Sequence, residues 1–161
     1  MKRLKIALVR GRHLNPFEMQ SYFPLLPRCE LTGFATLTAL NYVYPFPVFR
    51  LPSLVDGVYG LSKIIPPRYS LGILNRLLVD AHNLFGLEKY LFGFDIAHTA
   101  DTHYYFTTQC LDAKKKGLIK KVVATIWENI PFNHETISGR HEMKQRAIRE
   151  VDLFIATSQQ A

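Results

Sequence analysis

Side chains that could bind or transform a ligand stand where the apolar segments of this sequence end. An indole can stack on the flat face of a sugar, carboxylates and imidazoles can move protons, and glycine admits a ligand close to the backbone. Trp127, Glu128 and Asn129 follow directly after the apolar run VVATI. Similar groups lie near two other apolar runs: Gly11, Arg12, Asn15 and Glu18 after LKIALV, and His98, Asp101 and His103 around FDIAHT. Together they predict a site for a polyhydroxylated ligand, with Glu128 as the candidate acid, base or acceptor-binding group.

Each of these residues also has an ordinary structural explanation. Trp127 could instead pack in the core. Glu128 could be an ordinary loop carboxylate exposed to solvent. A metal site at His98, Asp101 and His103 is disfavoured, because this spacing does not bring its ligands to one point as positions i and i+4 of a helix do. Gly11 belongs to no G-x-G-x-x-G sequence, which counts against a nicotinamide-dependent oxidoreductase.

The spacing of apolar residues predicts the elements that position these side chains. Apolar runs typical of strands occupy 4–9, 31–37, 46–51, 94–99, 120–127 and 151–158, with Pro47 favouring a sheet edge for the third. Helices are predicted at about 17–26, from Ser70 as N-cap to 85, from Asp101 or Thr102 to Lys116, and at 141–150, with a loop at 51–69. This alternation predicts an α/β, Rossmann-like fold with a mostly parallel sheet and helices on both faces. Ligands of such sheets bind outside the carboxyl ends of the strands.

Length and composition indicate a single domain over residues 1–161. The chain has 161 residues, of which 48% are apolar, enough for one sizeable core. Its two cysteines, Cys29 and Cys110, form no CxxC spacing, so neither a disulfide framework nor a zinc site is predicted. No apolar run has the length of a transmembrane helix, and the first one is too short for a signal peptide. We therefore expect a protein of the cytoplasm.

The net charge of +7 is concentrated in local patches. Five lysines crowd around Gly117, at positions 114–116, 120 and 121. They are not interleaved with aromatic residues and belong to no nucleic-acid-binding motif, so nucleic acid is not an expected partner. Two interpretations stay open: the solvated end of a helix, or a patch that docks on anionic lipid at the inner face of the membrane.

The order of the segments resembles the N-terminal, acceptor-side half of a GT-B glycosyltransferase of the family 4 type. LKIALVRGRHLNPFEMQSY resembles the first strand, loop and helix of that family, and FDIAHTADTHYYF its "DIVH" strand and the helix after it. VVATIWENIPF resembles the strand often written "VVTxH", and KQRAIREVDLFIATSQQA the "ADxxIAxS" segment. The resemblance spans nearly the whole chain, and it implies a Rossmann-like domain facing a second one across a cleft.

The resemblance also implies an activity. Family members transfer a sugar from a nucleotide-sugar donor to an acceptor, usually with retention of configuration and without a catalytic metal or other cofactor. The acceptor is a saccharide, a lipid-linked compound or a small molecule. The donor is bound mainly by the C-terminal domain, which we expect to be absent from this chain, so the fragment by itself is expected to be inactive.

Individual positions follow the family pattern only in part. Gly11 matches a glycine of the first loop that lies near donor phosphate or acceptor, but the usual double glycine is replaced here, and Arg12 is the candidate to compensate by charge. Glu18 matches a frequent acidic residue at the start of the first helix. Trp127 stands where many members have a histidine that contacts the donor sugar, so Glu128 or Asn129 is expected to supply that polar contact.

Two further interpretations concern the rest of the chain. Glu142 and Glu150 have the spacing of the family's donor-binding glutamates, but without the surrounding Gly and Phe residues they are predicted to lie on a charged surface helix. The alternative to a transferase is a non-catalytic α/β module that binds a saccharide or an anionic ligand in the same crevice.

Overall fold

The computed structural model describes residues 3–60, 66–128, 130, 133, 135 and 137–158. Its strands are β1 (Leu4–Gly11), β2 (Cys29–Thr36), β3 (Val48–Leu51), β4 (Ile96–Ala100), β5 (Lys121–Ile126) and β6 (Leu153–Ala156). They form one parallel sheet in the order β3–β2–β1–β4–β5–β6. The predicted α/β, Rossmann-like fold is confirmed, and β3 lies at the sheet edge, as Pro47 indicated.

Helices connect these strands and cover the sheet. They are α1 (Pro16–Met19), which continues as a 3-10 helix (Gln20–Leu25), α2 (Leu54–Gly60), α3 (Pro67–Leu78), α4 (Leu87–Leu91), α5 (Tyr105–Lys115) and α6 (Arg140–Glu150). On one sheet face, Leu87 and Phe106 pack in the same cluster as Val9 of β1. On the other face, Met19 and Tyr22 pack with Leu8 of β1 and other strand residues. Because β1 is buried on both sides, it needs apolar residues without alternation.

The strand order opens a crevice between the carboxyl ends of β1 and β4. The chain proceeds outward from β1 to β3 and then crosses to place β4 on the other side of β1. Leu8 of β1 is consequently paired with Gly33 on one side and His98 on the other. The connections after β1 and β4 leave toward opposite halves of the sheet, and ligands of such sheets bind at this switch point.

The first predicted helix is shorter and less regular than expected. Asn15 caps it by accepting a hydrogen bond from the Glu18 backbone N–H, and Pro16 occupies the first turn, where a missing N–H costs nothing. After Met19 the coil tightens into the 3-10 helix, which contains Pro24. Proline has no N–H for an α-helical hydrogen bond, which is one reason for the early change.

The region predicted as a loop at 51–69 is partly helical. Residues 54–60 form α2, where Val55 and Val58 are buried, and residues 61–65 lie outside the described residues. Ser70 was the predicted N-cap of the next helix, but α3 already begins at Pro67. That helix ends at Leu78 rather than near residue 85, because Val79 takes a positive φ of 66° and the chain turns there.

The sequence predicted no helix at 87–91, where α4 forms, and the other elements agree with the sequence pattern to within a few residues. Gly117 has a φ of 72° just after the end of α5, which confirms the predicted left-handed stop. Asp101 and Thr102 precede α5 without capping it; the cap position is Tyr104. Glu142 and Glu150 lie on α6 as predicted, and Glu150 pairs with Arg146 at 3.1 Å.

Candidate ligand-binding clefts at the carboxyl edge

Two adjoining clefts lie at the carboxyl edge of the sheet. The central cleft, of about 530 Å³, lies over the ends of β1, β4 and β5 and is lined by Arg10, His13, Asn15, Phe17, Glu18, Ala100, Asp101, Tyr104 and Trp127. The lateral cleft, of about 670 Å³, extends toward β6 and is lined by Phe17, Glu18, Ser21, Tyr22, Leu25, His98, Thr125, Trp127, Ile155, Ala156 and Thr157. Both volumes are typical of ligand sites. The clefts share Phe17, Glu18 and Trp127.

Arg10 forms the floor between the two clefts. It belongs to β1, and its side chain is fully buried. Its guanidinium donates to Glu18 Oε1 at 2.5 Å, to Tyr22 Oη at 2.8 Å and to the His98 carbonyl at 2.7 Å. A buried cation requires this degree of pairing, since an uncompensated charge there would cost several kcal/mol, on the order of 3–5. The network therefore joins β1, α1 and β4 beneath the crevice.

His98 is a buried member of β4 and not a loop residue. Its Nε2 lies 2.9 Å from the Thr125 hydroxyl, and its ring makes an edge contact with Tyr22. Burial lowers the pKa of His98 to about 3, and the charge of Arg10 acts in the same direction. His98 is therefore a neutral hydrogen-bonding group at the base of the lateral cleft.

The start of α1 presents a polar and an apolar group to the crevice. Asn15 lines the central cleft while it caps α1, and Glu18, in the first turn, lines both clefts. The helix dipole favours a carboxylate at this position. Phe17 lies between them in sequence and is 80% exposed, so its ring is available to a ligand. Sequence reasoning predicted Asn15 and Glu18 but missed Phe17, because a single aromatic residue in a turn has no distinguishing spacing.

Asp101 fixes the backbone that follows β5. Its carboxylate Oδ1 accepts hydrogen bonds from the backbone N–H groups of Trp127 at 2.8 Å and Glu128 at 3.2 Å. Asp101 itself has a φ of 49°, a left-handed conformation that aspartate tolerates better than most residues. It also lines the central cleft. The predicted site residue thus has a second, positioning role that the sequence did not reveal.

Trp127 lies at the boundary of the two clefts with half of its surface exposed. Core packing, the structural alternative for this residue, therefore does not account for its position. Asn129, the third polar candidate after β5, lies outside the described residues. Of the two described residues that directly follow β5, Trp127 lines both clefts.

Glu128 lies behind the clefts and is not among their lining residues. Its Oε2 lies 3.4 Å from Lys144 Nζ of α6 and 3.5 Å from His103 Nδ1. Lys144 is itself buried and also contacts Glu135 at 3.0 Å. These contacts connect the segment after β5 to α6. The catalytic role expected of Glu128 stays a prediction, and so does the substrate contact expected of His103.

Gly11 and Arg12 have structural reasons for their places in the first loop. Gly11 has a φ of 54°, and a Cβ there would lie 3.3 Å from the Phe106 ring. Arg12 donates to the Thr38 carbonyl at 2.9 Å, and its guanidinium carbon lies 3.2 Å from the centroid of the Tyr59 ring. The space beside Gly11 is thus filled by the core, and Arg12 is held on the side of β2 and α2. Neither residue lines the two clefts.

Tyr104 is a cleft residue that sequence reasoning did not select. Its ring packs 4.4 Å from that of His103 and 5.0 Å from that of Phe106, measured between centroids. Burial raises the pKa of Tyr104, and the Asp101 and Asp80 charges add to this effect. Its hydroxyl is therefore protonated at neutral pH. The segment HYYF after β4 was a signal, because aromatic residues with polar tips are frequent in binding sites.

The lysines around Gly117 lie at the opposite, amino edge of the sheet, and most of them are paired. Lys114 and Lys121 each lie 2.9 Å from a carboxylate oxygen of Asp152, and Lys120 lies 2.6 Å from Asp95. Lys116 pairs with Glu88. Much of the positive charge is therefore compensated within the domain, which favours the interpretation as a solvated helix end. Among the described residues, none forms a helix both long and apolar enough to cross a bilayer.

Within the described parts of the chain, no group of three or more His, Cys, Asp or Glu side chains is arranged to hold a metal ion. His98 contacts Thr125, whereas Asp101 and His103 face the segment after β5, so the three residues of the disfavoured metal site do not converge on one point.

In comparisons with known proteins, no family model, no curated protein and no solved structure matches this sequence. The function must therefore be argued from the clefts and from the sequence motifs.

Proposed function

We propose that this chain is the acceptor-side domain of a GT-B glycosyltransferase of the family 4 type. The observation that carries the proposal is the central cleft itself, where residues that follow β1, β4 and β5 meet at the switch point of a parallel sheet. Hydrogen-bonding groups and aromatic surfaces alternate around it, as recognition of a hydroxylated ligand requires. The order of the motifs along the chain supplies the reaction type.

In the proposed reaction an acceptor hydroxyl oxygen forms a bond to the anomeric carbon of the donor sugar. The bond from that carbon to the nucleotide phosphate breaks, and the hydroxyl proton leaves with the phosphate. Asn15, His13 and Tyr104 are the groups proposed to hold the acceptor hydroxyls, with Trp127 beneath the sugar ring. Positioning of this kind can supply a large part of the rate enhancement. Retention of configuration, independence of a metal and donor binding by a second domain belong to the same proposal.

The test is nucleotide release by the purified gene product. It is incubated with a panel of nucleotide sugars and glycoside acceptors, and acceptor-dependent release of the free nucleotide is measured. His13→Gln is expected to lower the turnover at least tenfold, because this exposed imidazole lines the central cleft. His141→Gln is the matched control, since His141 is also exposed but lies on α6 and contacts Glu135. Equal turnover in the two variants would contradict the proposed site.

A separate variant tests the role of Glu128. Glu128→Gln keeps the shape of the side chain and removes the charge that Lys144 and His103 face. If Glu128 is catalytic, turnover falls by a factor of about 100 or more in variant protein that circular dichroism shows to be folded. Unchanged turnover would remove Glu128 from the list of catalytic candidates and leave it the role of connecting the segment after β5 to α6.

The alternative function is a binding module that does not transfer sugar. One observation favours keeping it: the central cleft formed within this domain already measures about 530 Å³, which is in the size range of ligand sites. In that case isothermal titration would detect binding of a glycoside, and no nucleotide sugar would release its nucleotide. Binding together with acceptor-dependent release supports the transferase.

A further inference from the structure

The central and lateral clefts adjoin, and their linings differ in charge. Phe17 and Trp127 stand at their boundary, exposed by 80% and 50%, and Glu18 lies in the walls of both. A ligand long enough to extend past these shared residues would contact both clefts. The nature of the two linings indicates what each part of such a ligand must be.

The central cleft does not suit an anion. Apart from the His13 imidazole, Arg10 is the one cationic side chain among the described residues that line it. Its charge is already neutralised by Glu18 at 2.5 Å, and three further N–H groups donate to Tyr22 and to the backbone carbonyls of Val9 and His98. The Asp101 carboxylate adds a negative charge to the same lining. A phosphate or carboxylate group would be repelled here, whereas hydroxyl groups can donate to the carboxylates and accept from Asn15 and Tyr104.

The lateral cleft offers mainly apolar surface. Its walls include Leu25 and Tyr22 of the 3-10 helix on one side and Ile155 and Ala156 of β6 on the other. Leu25 and Ile155 are 38% and 44% exposed, which leaves their side chains uncovered in this domain. Among the described lining residues, Glu18 is the one with a charged side chain at neutral pH, since burial keeps His98 neutral. An apolar group that fills this cleft gains the free energy of removing both surfaces from water.

We infer that the acceptor is an uncharged glycoside with an apolar aglycone. Its hydroxylated ring lies in the central cleft against Trp127 and Phe17, and its aglycone lies in the lateral cleft between the 3-10 helix and β6. This inference rests on the proposed function, because it specifies the acceptor of that reaction. Of the acceptor classes that the sequence left open, it selects an amphipathic glycoside over a free saccharide and over an anionic ligand.

The fluorescence of Trp127 provides a direct test, because the chain contains one tryptophan. The probes are methyl and n-octyl β-glucoside, methyl and n-octyl β-galactoside, n-octyl phosphate and n-octyl triethylene glycol ether, all below their critical micelle concentrations. Burial of one methylene is worth roughly a fourfold gain in affinity, so three buried methylenes predict an octyl glycoside bound roughly 60-fold more tightly than its methyl counterpart. Octyl phosphate and the octyl ether are each expected to bind at least tenfold more weakly than the better octyl glycoside.

Two variants on β6 form a matched pair. Ile155 and Leu153 lie on the same face of this strand and are similarly exposed, at 44% and 57%, but only Ile155 is among the described residues that line the lateral cleft. Ile155→Thr should weaken the octyl glycoside three- to tenfold and leave the methyl glycoside unchanged. Leu153→Thr should leave both unchanged. Equal effects of the two substitutions would overturn the assignment of the lateral cleft.

The outcomes separate this inference from the proposed function. If octyl and methyl glycosides bind equally, or if the octyl ether or octyl phosphate binds as tightly as the octyl glycosides, the inference is wrong. If acceptor-dependent nucleotide release is equally fast with methyl and octyl glycosides, the transferase stands and the amphipathic acceptor is excluded. If the binding pattern is as expected and no donor releases its nucleotide, the amphiphile site stands as that of a binding module.

Discussion

Both edges of the sheet carry charged groups, but these groups differ in their exposure to water. At the amino edge, Lys120 and Lys121 reach carboxylates from positions that are 75% and 63% exposed. At the carboxyl edge, the Arg10 side chain is fully buried and its partner Glu18 is 11% exposed. In the first set of ion pairs the lysine side chains are exposed to water, so each pair contributes little, whereas in the second both partners are largely buried and loss of one is costly.

This difference teaches how to interpret charge in a sequence of this kind. The lysine cluster is conspicuous in the sequence, yet in the structure most of it is matched by Asp95, Asp152 and Glu88. Arg10 is inconspicuous in the sequence, yet it connects β1 to α1 and β4 beneath the clefts. Burial of the charged side chains, rather than the density of charge, separates the candidate binding edge from the solvated one. The four predictions below test this contrast, beginning with the largest effect.

Removing one cation from each edge should give very different losses of stability. Arg10→Met leaves Glu18 and the His98 carbonyl without their donor, so the free energy of unfolding should fall by about 3–5 kcal/mol. Lys120→Met removes an exposed partner of Asp95 and should cost about 0–1 kcal/mol. Urea denaturation of both variants measures the two values. Similar losses would mean that the edges do not differ in this way.

Asp101→Ala should destabilise the carboxyl edge through two effects. The backbone N–H groups of Trp127 and Glu128 lose their acceptor, and alanine is strained at a φ of 49°. We expect a loss of about 2–3 kcal/mol, with a shift of Trp127 fluorescence as its backbone is released. Asp101→Asn keeps an acceptor and tolerates this φ, so its loss should stay near 1 kcal/mol or below. A larger loss for the Asn variant would contradict this account.

The two edges should also respond to acid at different pH. His98 has a pKa of about 3 in the fold, below its value near 6.5 when unfolded, so the unfolded chain binds more protons between these values. The contribution of neutral His98 to the free energy of unfolding is therefore complete above pH 6.5 and is lost as the pH falls toward 3. Between pH 7 and pH 5 we expect His98 to contribute a decrease of about 2 kcal/mol, which His98→Gln removes; His13, whose pKa burial lowers to about 4, adds a decrease of its own that remains in this variant.

Asp152 supplies the comparison at the amino edge. Burial alone would raise its pKa, but hydrogen bonds from Lys114, the Val122 N–H and Lys121 lower it to about 2. The contribution of ionised Asp152 to the free energy of unfolding is consequently lost only as the pH falls from about 4 to 2. Asp152→Asn should therefore leave the slope between pH 7 and pH 5 unchanged. Urea midpoints measured at pH 7, 6 and 5 decide whether the acid sensitivity belongs to His98.

The smallest effect is expected for lipid binding. In a basic patch that docks on a membrane, each lysine contributes about 1 kcal/mol, so loss of two would weaken binding roughly 30-fold. Lys116 is paired with Glu88, and we therefore expect Lys115→Gln/Lys116→Gln to change binding to phosphatidylserine vesicles by less than about threefold. Neutral phosphatidylcholine vesicles are the control in a sedimentation assay. A loss near 30-fold would restore the membrane-docking interpretation.

Most of the fold could be predicted because its signals are local. Continuous apolar runs identified all six strands, and Gly117 marked the end of α5. The larger errors lie between Leu51 and Leu91, where prolines and glycines suggested a loop but α2 forms, α3 starts and ends early, and α4 was not predicted. There Val55 and Val58 are buried against the rest of the domain, and such tertiary packing overrides local propensity.

The order of the strands explains part of the lining of the central cleft. Asn15, Glu18, Asp101 and Trp127 line it, since they follow strands that end at one edge. Gly11, Arg12 and Glu128 have partners elsewhere, and Phe17 and Tyr104 were missed. The direction in which a loop side chain points depends on neighbours distant in sequence. For Trp127, the deciding neighbour is Asp101, whose carboxylate holds the backbone on which the indole is mounted.

The sequence by itself determined the architecture, because alternation of apolar strands and helices leaves a doubly covered parallel sheet as the arrangement that buries them. It also determined that polar groups gather at the carboxyl edge. Only the tertiary structure decided which of those groups face a ligand, which pair with each other, and that the two clefts adjoin beside Trp127. The physical reason is that burial and charge compensation depend on contacts across the fold, such as Arg10 with Glu18 and His98, which no local pattern encodes.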